Sequence, residues 1–410
     1  MKLGQNSAYH LTYCSNIHPG ESWQAVRENL DTYTLPLKQQ LSPDAPFGVG
    51  LRLSDASARE LLTGNHLNEL VDWLASHDLY VYTFNGFPYG DFHGQVVKDK
   101  VYMPDWRTRE RVDYTLRLIE ILATLLPAGM DGGISTSPLS YKPWLNGDAK
   151  AIEDAFATST AHLAAITEQL VTTHQKTGKL IHIDIEPEPD CLIENIDETI
   201  AFFTNWLFPR GRKLLADKLG IAEDEAENLL RTHIRLCYDT CHFAVEFESA
   251  ADVVKKMSDA GILIGKVQIS AAVKVKLPAD ASQRNAIADR LTPFVESTYL
   301  HQVVEQRHDG SLNHYTDLGN ALPYILEETA AEWRIHFHVP IFVDDYNQIQ
   351  STQGDIVDAL KLQVAAPYTT HLEIETYTWG VLPAGLKQDM TTSIYREYDW
   401  VLSVLEESDA

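Results

Sequence analysis

Short runs rich in β-branched and aromatic residues alternate with longer stretches of helical periodicity almost from one end of the chain to the other. "HLTYCSN" opens the series, followed by "FGVGLRLS", "LYVYTFNG", "GGISTSP", "LIHIDIEPEPD", "IRLCYDTCHF", "GKVQIS", "RIHFHVPIF" and "THLEIETYTW". Between them lie stretches such as "DWRTRERVDYTLRLIEILATLL" and "AIEDAFATSTAHLAAITEQLVTTHQ", with apolar residues at helical spacing. Ser54 and Asp105 stand where helix N-caps are expected. Parallel strands cannot be joined by a tight turn and need a crossover, so this alternation implies a parallel sheet with helices on its faces.

The two closed and open solutions are a (β/α)8 TIM barrel and a doubly wound sheet. No G-x-G-x-x-G loop follows the first strand, no Pro/Gly-rich linker marks a boundary, and polar residues recur at the late ends of several strands. All three favour an α/β fold of the (β/α)8 TIM-barrel type, one domain over residues 1–410, whose active site gathers at the C-terminal ends of the strands. Nine strand candidates compete for eight places, so "GKVQIS", "RIHFHVPIF" or a terminal strand is an additional element. A late insertion at about 280–330 is expected to contain a β-hairpin around Asp309-Gly310.

The side chains of "LIHIDIEPEPD" alternate, with Ile181, Ile183 and Ile185 on one face and His182, Asp184 and Glu186 on the other. A period of two turns the apolar face to the helices and the polar face to the barrel lumen. Glu186 is the last residue in phase with the strand, ahead of Glu188. "CYDTCHF" brings Asp239 and His242 together if the strand bends after Thr240. "KVQIS" adds Gln268, "RIHFHVPIF" adds His336 and His338, and "HLEIETYTW" adds Glu373 and Glu375. Carboxylates, imidazoles and an amide oxygen on one rim suit a divalent metal ion such as Mn²⁺, Zn²⁺, Co²⁺ or Mg²⁺. Such an ion would offset the cost of burying several acids together. The glycine- and aromatic-rich "NGFPYGDFHG" reads as a loop able to contact a small polar ligand through Asn85, Tyr89, Asp91 and His93.

Acids outnumber bases 58 to 33, for a net charge of −25, which argues against a nucleic-acid backbone as partner. No apolar run of membrane-spanning length and no secretory leader pattern is visible, so no membrane insertion is expected. The four cysteines are too few for a disulfide framework, and a cytoplasmic setting fits them. Cys237 and Cys241 flank Asp239 and read as buried packing thiols rather than zinc ligands.

Together these segments resemble the xylose-isomerase-like TIM-barrel superfamily, whose D-T-x-H element is matched by "CYDTCHF". The resemblance implies that Asp239 is a metal ligand, that His242 is a metal or substrate contact, and that Glu186 and Glu375 match the superfamily's strand-end glutamates. The resulting expectation is metal ligation by Glu186, Asp239, His338 and Glu375, catalytic roles for Glu186, Glu375 and His242, and substrate contacts from Asn85, Tyr89, Gln268 and His336. "KVQIS" places Gln268 near the position where that superfamily usually has a histidine ligand, so Gln268 and His338 compete for the third ligand position. Over nearly the whole chain, "NGFPYG", "DIEPEPD", "CYDTCHFAVEFE", "HFHVPIF" and "ETYTWGVLP" are similar to the EboE-type metabolite traffic proteins. That likeness implies a metal-dependent sugar or cyclitol isomerase- or epimerase-like enzyme in secondary-metabolite biosynthesis and export, with pathway proteins as partners. The alternative is a non-catalytic barrel that binds a small polar metabolite. A metal-dependent phosphodiesterase is disfavoured by the charge.

Overall fold

The computed structural model describes residues 1–4, 8–90, 92–346, 349–383 and 389–409. Its strands in chain order are β1 (Lys2–Leu3), β2 (Tyr9–Tyr13), β3 (Phe47–Arg52), β4 (Leu79–Asn85), β5 (Gly132–Thr136), β6 (Ile181–Ile185) and β7 (Ile234–Asp239). They continue with β8 (Ile264–Ile269), β9 (Ala271–Lys276), β10 (Val303–Arg307), β11 (Leu312–Tyr315), β12 (Ala330–Val339), β13 (Gln350–Ser351) and β14 (His371–Ile374).

Eight of them form a parallel ladder in the order β2-β14-β8-β7-β6-β5-β4-β3, with β1 added antiparallel to β2. The ladder curls until its two ends meet. Cys14 bridges Gly50 in parallel fashion, and Thr12 Oγ1 donates to the Gly48 carbonyl while accepting from Gly50 N, both at 2.9 Å. Gly50 permits this seam, because a Cβ there would stand 2.0 Å from Glu373 Oε1 and 2.8 Å from the Tyr13 carbonyl. The result is a closed (β/α)8 barrel. Its strands are buried on both faces, as expected where helices cover the outside and side chains fill the inside. Ile181, Ile183 and Ile185 belong to the hydrophobic core, while His182 and Asp184, in the opposite phase, are bonded to each other at 2.6 Å.

Local chemistry sets the crossovers. The long helix Ala149–Thr177 starts where Asp148 accepts from the Lys150 and Ala151 amides and stops at Gly178, whose φ of 71° suits a residue without a Cβ. Ser54 caps the helix Asp55–Leu61 by accepting from Ser57 N. Asp105 departs from the expected capping role: the helix begins at Arg109, after Thr108. Its carboxylate is taken up by Arg107, through the backbone amide at 3.0 Å and the guanidinium at 2.7 Å.

The additional strand among the nine candidates is "RIHFHVPIF". It lies in β12, at the centre of a second, antiparallel sheet of order β11-β10-β12-β9-β13. The β10–β11 hairpin turns through Gly310 at φ 84°, and it sits inside a longer excursion from residue 271 to 351. β9 follows directly on β8, so this sheet is rooted at the C-terminal rim of the barrel. Among the described residues no helix is long and apolar enough to cross a membrane.

The C-terminal helix Met390–Asp409 carries a buried acid, Glu397, which accepts from Thr376 Oγ1 at 2.7 Å and from Ile341 N at 3.4 Å. Burial pushes its carboxyl up to about 8 from the ordinary 4.5. The folded state therefore holds a proton that the unfolded chain has already released, and the associated stability is complete below about pH 4.5 and lost as pH rises through about 8. Glu397→Gln should gain on the wild type by about 1.4 kcal/mol per pH unit across that window. Denaturant unfolding at pH 5, 6.5 and 8 measures the difference, and a gap independent of pH would contradict it.

Candidate functional site

The rim site is built from the ends of β4, β6, β7 and β14 and from β12 of the outer sheet. Asp239 closes β7 and at once caps the helix Thr240–Val245. Its Oδ1 accepts from Cys241 N at 2.8 Å, His242 N at 3.3 Å and Ser270 Oγ at 2.5 Å. This strand-to-helix turn swings His242 to the same side as Asp239, with Nε2 3.8 Å from Asp239 Oδ2. Oδ2 itself is fully buried and has no hydrogen-bond partner.

The histidines present bare nitrogens. His242 Nδ1 lies 2.8 Å from the Pro187 carbonyl and His338 Nδ1 2.8 Å from the Glu375 carbonyl. A carbonyl only accepts, so both Nδ1 atoms carry a hydrogen, and in the neutral ring Nε2 is a lone pair. His336 Nδ1 meets Gln302 Oε1 at 2.9 Å. The amide of Gln302 is oriented by its Nε2, which donates to the Pro189 carbonyl and to Tyr102 Oη, each at 3.1 Å. His336 Nε2 is therefore a third lone pair, and it faces His242 Nε2 at 3.1 Å. Burial, reinforced by the neighbouring imidazoles, pushes His336 well below the usual imidazole range, and burial lowers His338 to about 4. Two acceptors held nose to nose call for a cation between them.

The acids are tuned against each other. Burial raises Glu186 and Glu375 well above the carboxylate range, with Glu375 and Asp239 adding to the shift of Glu186, and Asp239 and Glu373 to that of Glu375. Burial would also raise Asp239, but His242, His338, Ser270 and the Cys241 amide overcome it and hold that carboxyl low. Glu375 Oε1 accepts from Asn16 Nδ2 at 2.6 Å and Asn85 Nδ2 at 2.9 Å, and Glu186 Oε2 is left without a partner. Glu188, pushed up to about 7 by burial, accepts from Tyr102 Oη at 2.8 Å. Beneath them Lys266 pairs with Glu373 at 2.7 Å, supplying a positive charge to the lumen.

These groups border a cavity of about 50 Å³ lined by Glu186, Glu188, His242, His336, Glu375, Asn16 and Asn85 and roofed by Phe87, Phe92, Tyr102, Tyr299 and Tyr377. His93 joins the roof to the rim, 2.5 Å from the Asn16 carbonyl and 3.1 Å from Tyr299 Oη. Asp239 and His338 are fully buried beside this cavity. Gln268 is buried too, but it accepts from Cys237 Sγ at 2.7 Å and does not line the cavity. Tyr89 is not brought to it: its ring packs edge-on against Tyr114 and its carbonyl accepts from Asp55 N. Asp91 lies outside the described residues. Cys237 and Cys241 are free, buried thiols. Asn16, Tyr102, Ser270 and Gln302 escaped the sequence reading. Asn16 was within its reach, since "SNIHPG" follows the first barrel strand as "NGFPYG" follows the third.

The donor set fits a divalent ion. Asp239, His242 and His338 offer ligand atoms within 4.8 Å of one another, as do Glu188, His242 and His336. Three imidazole nitrogens with hydrogen-bonded far sides and an orphaned carboxylate oxygen are a donor set that suits a divalent ion.

No family model and no curated protein sequence matches the chain. Solved structures that align along most of it include 3-keto-D-glucoside 4-epimerase from E. coli, with 11% identity, 96% of this chain and 99% of that chain covered, and a TM-score of 0.44. A xylose isomerase domain protein from Planctomyces limnophilus aligns with 10% identity, coverage of 91% and 92%, and a TM-score of 0.46. The IolI protein with a bound zinc atom gives 10%, 97% and 99%, and 0.44. The barrel stands on its own strand order and seam, and no residue role is carried over from these proteins.

Removing an outer-sphere acceptor should weaken the ion without emptying the site. Gln302→Leu is expected to lower divalent-ion affinity at the rim by about 10- to 100-fold, and His338→Ala by more. Equilibrium dialysis with metal analysis reads both, and unchanged affinity in His338→Ala would remove that imidazole from the coordination sphere.

Proposed function

We propose that the chain is an isomerase- or epimerase-type enzyme that acts on a small polar metabolite, a sugar, polyol or cyclitol, at a divalent-metal centre on the barrel rim. The observation that carries the reading is the meeting of three bare imidazole nitrogens with the unpartnered Asp239 oxygen beside two carboxylates whose protons are held tightly. Asp239, His242, His336 and His338 would hold the ion, a set that differs from the expected Glu186, Asp239, His338 and Glu375 in taking His242 and His336 in place of the two glutamates. The chemistry such an ion supplies is Lewis-acid polarisation of a substrate oxygen.

Glu186 is then free for proton transfer. Its Oε2 is committed to no partner, and it borders the cavity. Glu375 is positioned by Asn16 and Asn85 to receive or return a proton from another side, and the environments of the two carboxyls favour a protonated partner for an ionised one. Glu188, held by Tyr102, is a third acid within the same wall. The aromatic roof suits the apolar face of a ring whose hydroxyls turn to the acids and amides. The motif set shared with the EboE-type metabolite traffic proteins supports a place beside pathway partners, and four unpaired buried thiols support a reducing cytoplasm.

In D₂O, metal-loaded protein should exchange a carbon-bound hydrogen of its substrate when a panel of ketoses, aldoses and inositols is followed by NMR. Glu186→Gln should reduce that exchange by at least about 10²-fold. A ligand bound without exchange, and held equally by Glu186→Gln, would make the protein a metabolite-binding barrel instead.

A further inference from the structure

The rim leaves three atoms at the opposite end of the barrel unexplained. His182 Nε2, His371 Nδ1 and Asp184 Oδ2 have no hydrogen-bond partner, although all three residues are fully buried. His182 is the second residue of β6, His371 the first of β14, and Asp131 directly precedes β5, so they meet where those strands begin.

We propose that Asp131, His182 and His371 form a second divalent-cation site, of zinc-binding character, at the floor of the barrel. The three offer ligand atoms within 4.8 Å of one another. His182 Nε2 lies 3.6 Å from Asp131 Oδ2 and His371 Nε2 3.4 Å from Asp131 Oδ1. Those separations are long for direct hydrogen bonds. Metal bonds of about 2.0–2.2 Å at a tetrahedral angle place neighbouring ligand atoms about 3.3–3.6 Å apart, which these pairs match.

A cation there gives the buried His182 Nε2 the partner it lacks. His182 Nδ1 is bonded to Asp184 Oδ1 at 2.6 Å, so in the neutral ring Nε2 is the lone pair aimed at Asp131. His371 Nε2 now reaches the Asp131 carbonyl at 3.2 Å, a contact that strands Nδ1 without its hydrogen. Moving that hydrogen to Nδ1 frees Nε2 for the ion. His371 Nδ1 and Asp184 Oδ2 border the space that Gly133 leaves open, 3.0 and 2.7 Å from where its Cβ would stand. Gly265 does the same on the other side, since its Cβ would fall 1.9 Å from Asp184 Oδ1. Asp184 orients the His182 imidazole from behind, the usual office of a carboxylate in the outer sphere of a histidine-bound metal.

Asp131 has other contacts, from Arg235 Nη1 to Oδ2 at 3.2 Å and from Thr370 Oγ1 to Oδ1 at 3.0 Å. A carboxylate has about four lone-pair sites, so they leave room for a metal bond. Its side chain is 21% exposed, which gives an ion a path from solvent and a water as fourth ligand.

The test is a metal count on full-length protein, stripped by chelator, reloaded with Zn²⁺ alone and desalted. The wild type should retain two equivalents. Asp131→Asn, at a partly exposed position, should retain one, and the rim variant Asp239→Asn should retain the other. A single wild-type equivalent removed by Asp239→Asn and untouched by Asp131→Asn overturns the proposal. A single equivalent removed by Asp131→Asn supports it and refutes the rim centre instead. Zinc-edge anomalous diffraction from wild-type crystals keeps the question open to decision if Asp131→Asn fails to fold: a peak among the three side chains supports the site, and its absence while zinc occupies the rim overturns it.

Discussion

A carboxylate turned into a barrel interior survives only if something of opposite polarity meets it, and the whole lumen of this protein is arranged around that requirement. Lys266 meets Glu373, His182 meets Asp184, two backbone amides and Ser270 meet Asp239, and Asn16 and Asn85 meet Glu375. Each pairing uses one oxygen of its acid. The second oxygens of Asp184, Glu186, Asp239 and Glu373 stay unpaired. A polar column with half its acceptors spare is a poor way to stabilise a core and a good way to prepare coordination sites.

Glycine makes the column fit. Gly50, Gly133 and Gly265 face the lumen, and at each a Cβ would run into a carboxylate or an imidazole. These residues are spacers rather than turns. They trade strand propensity for volume, and the volume goes to the polar groups that the neighbouring strands project inward.

The barrel was legible in the sequence because crossover geometry leaves few alternatives once strands and helices alternate for so long. The polar phase of "LIHIDIEPEPD" and the bend of "CYDTCHF" gave the lumen and the rim, since both depend on local periodicity. "RIHFHVPIF" was one of three candidates for the strand outside the barrel, and the choice among them was not legible. A run of buried β-branched and aromatic residues looks the same in either sheet, and only its antiparallel partners β9 and β10 distinguish it. Tyr89 misled for a related reason: its loop lies at the rim, but the ring finds Tyr114 on a neighbouring helix, a contact without a spacing signature. The partners that decide the tautomers, Pro187, Gln302 and Glu375 through its carbonyl, are invisible for the same cause, being long-range and in two cases backbone atoms.

His336 and His338 stand on a strand of the outer sheet, while Asp239 and His242 belong to the barrel. The ion proposed for them would therefore also be a rivet between two separately hydrogen-bonded sheets, and would couple slippage of the outer sheet to the geometry at the mouth of the cylinder.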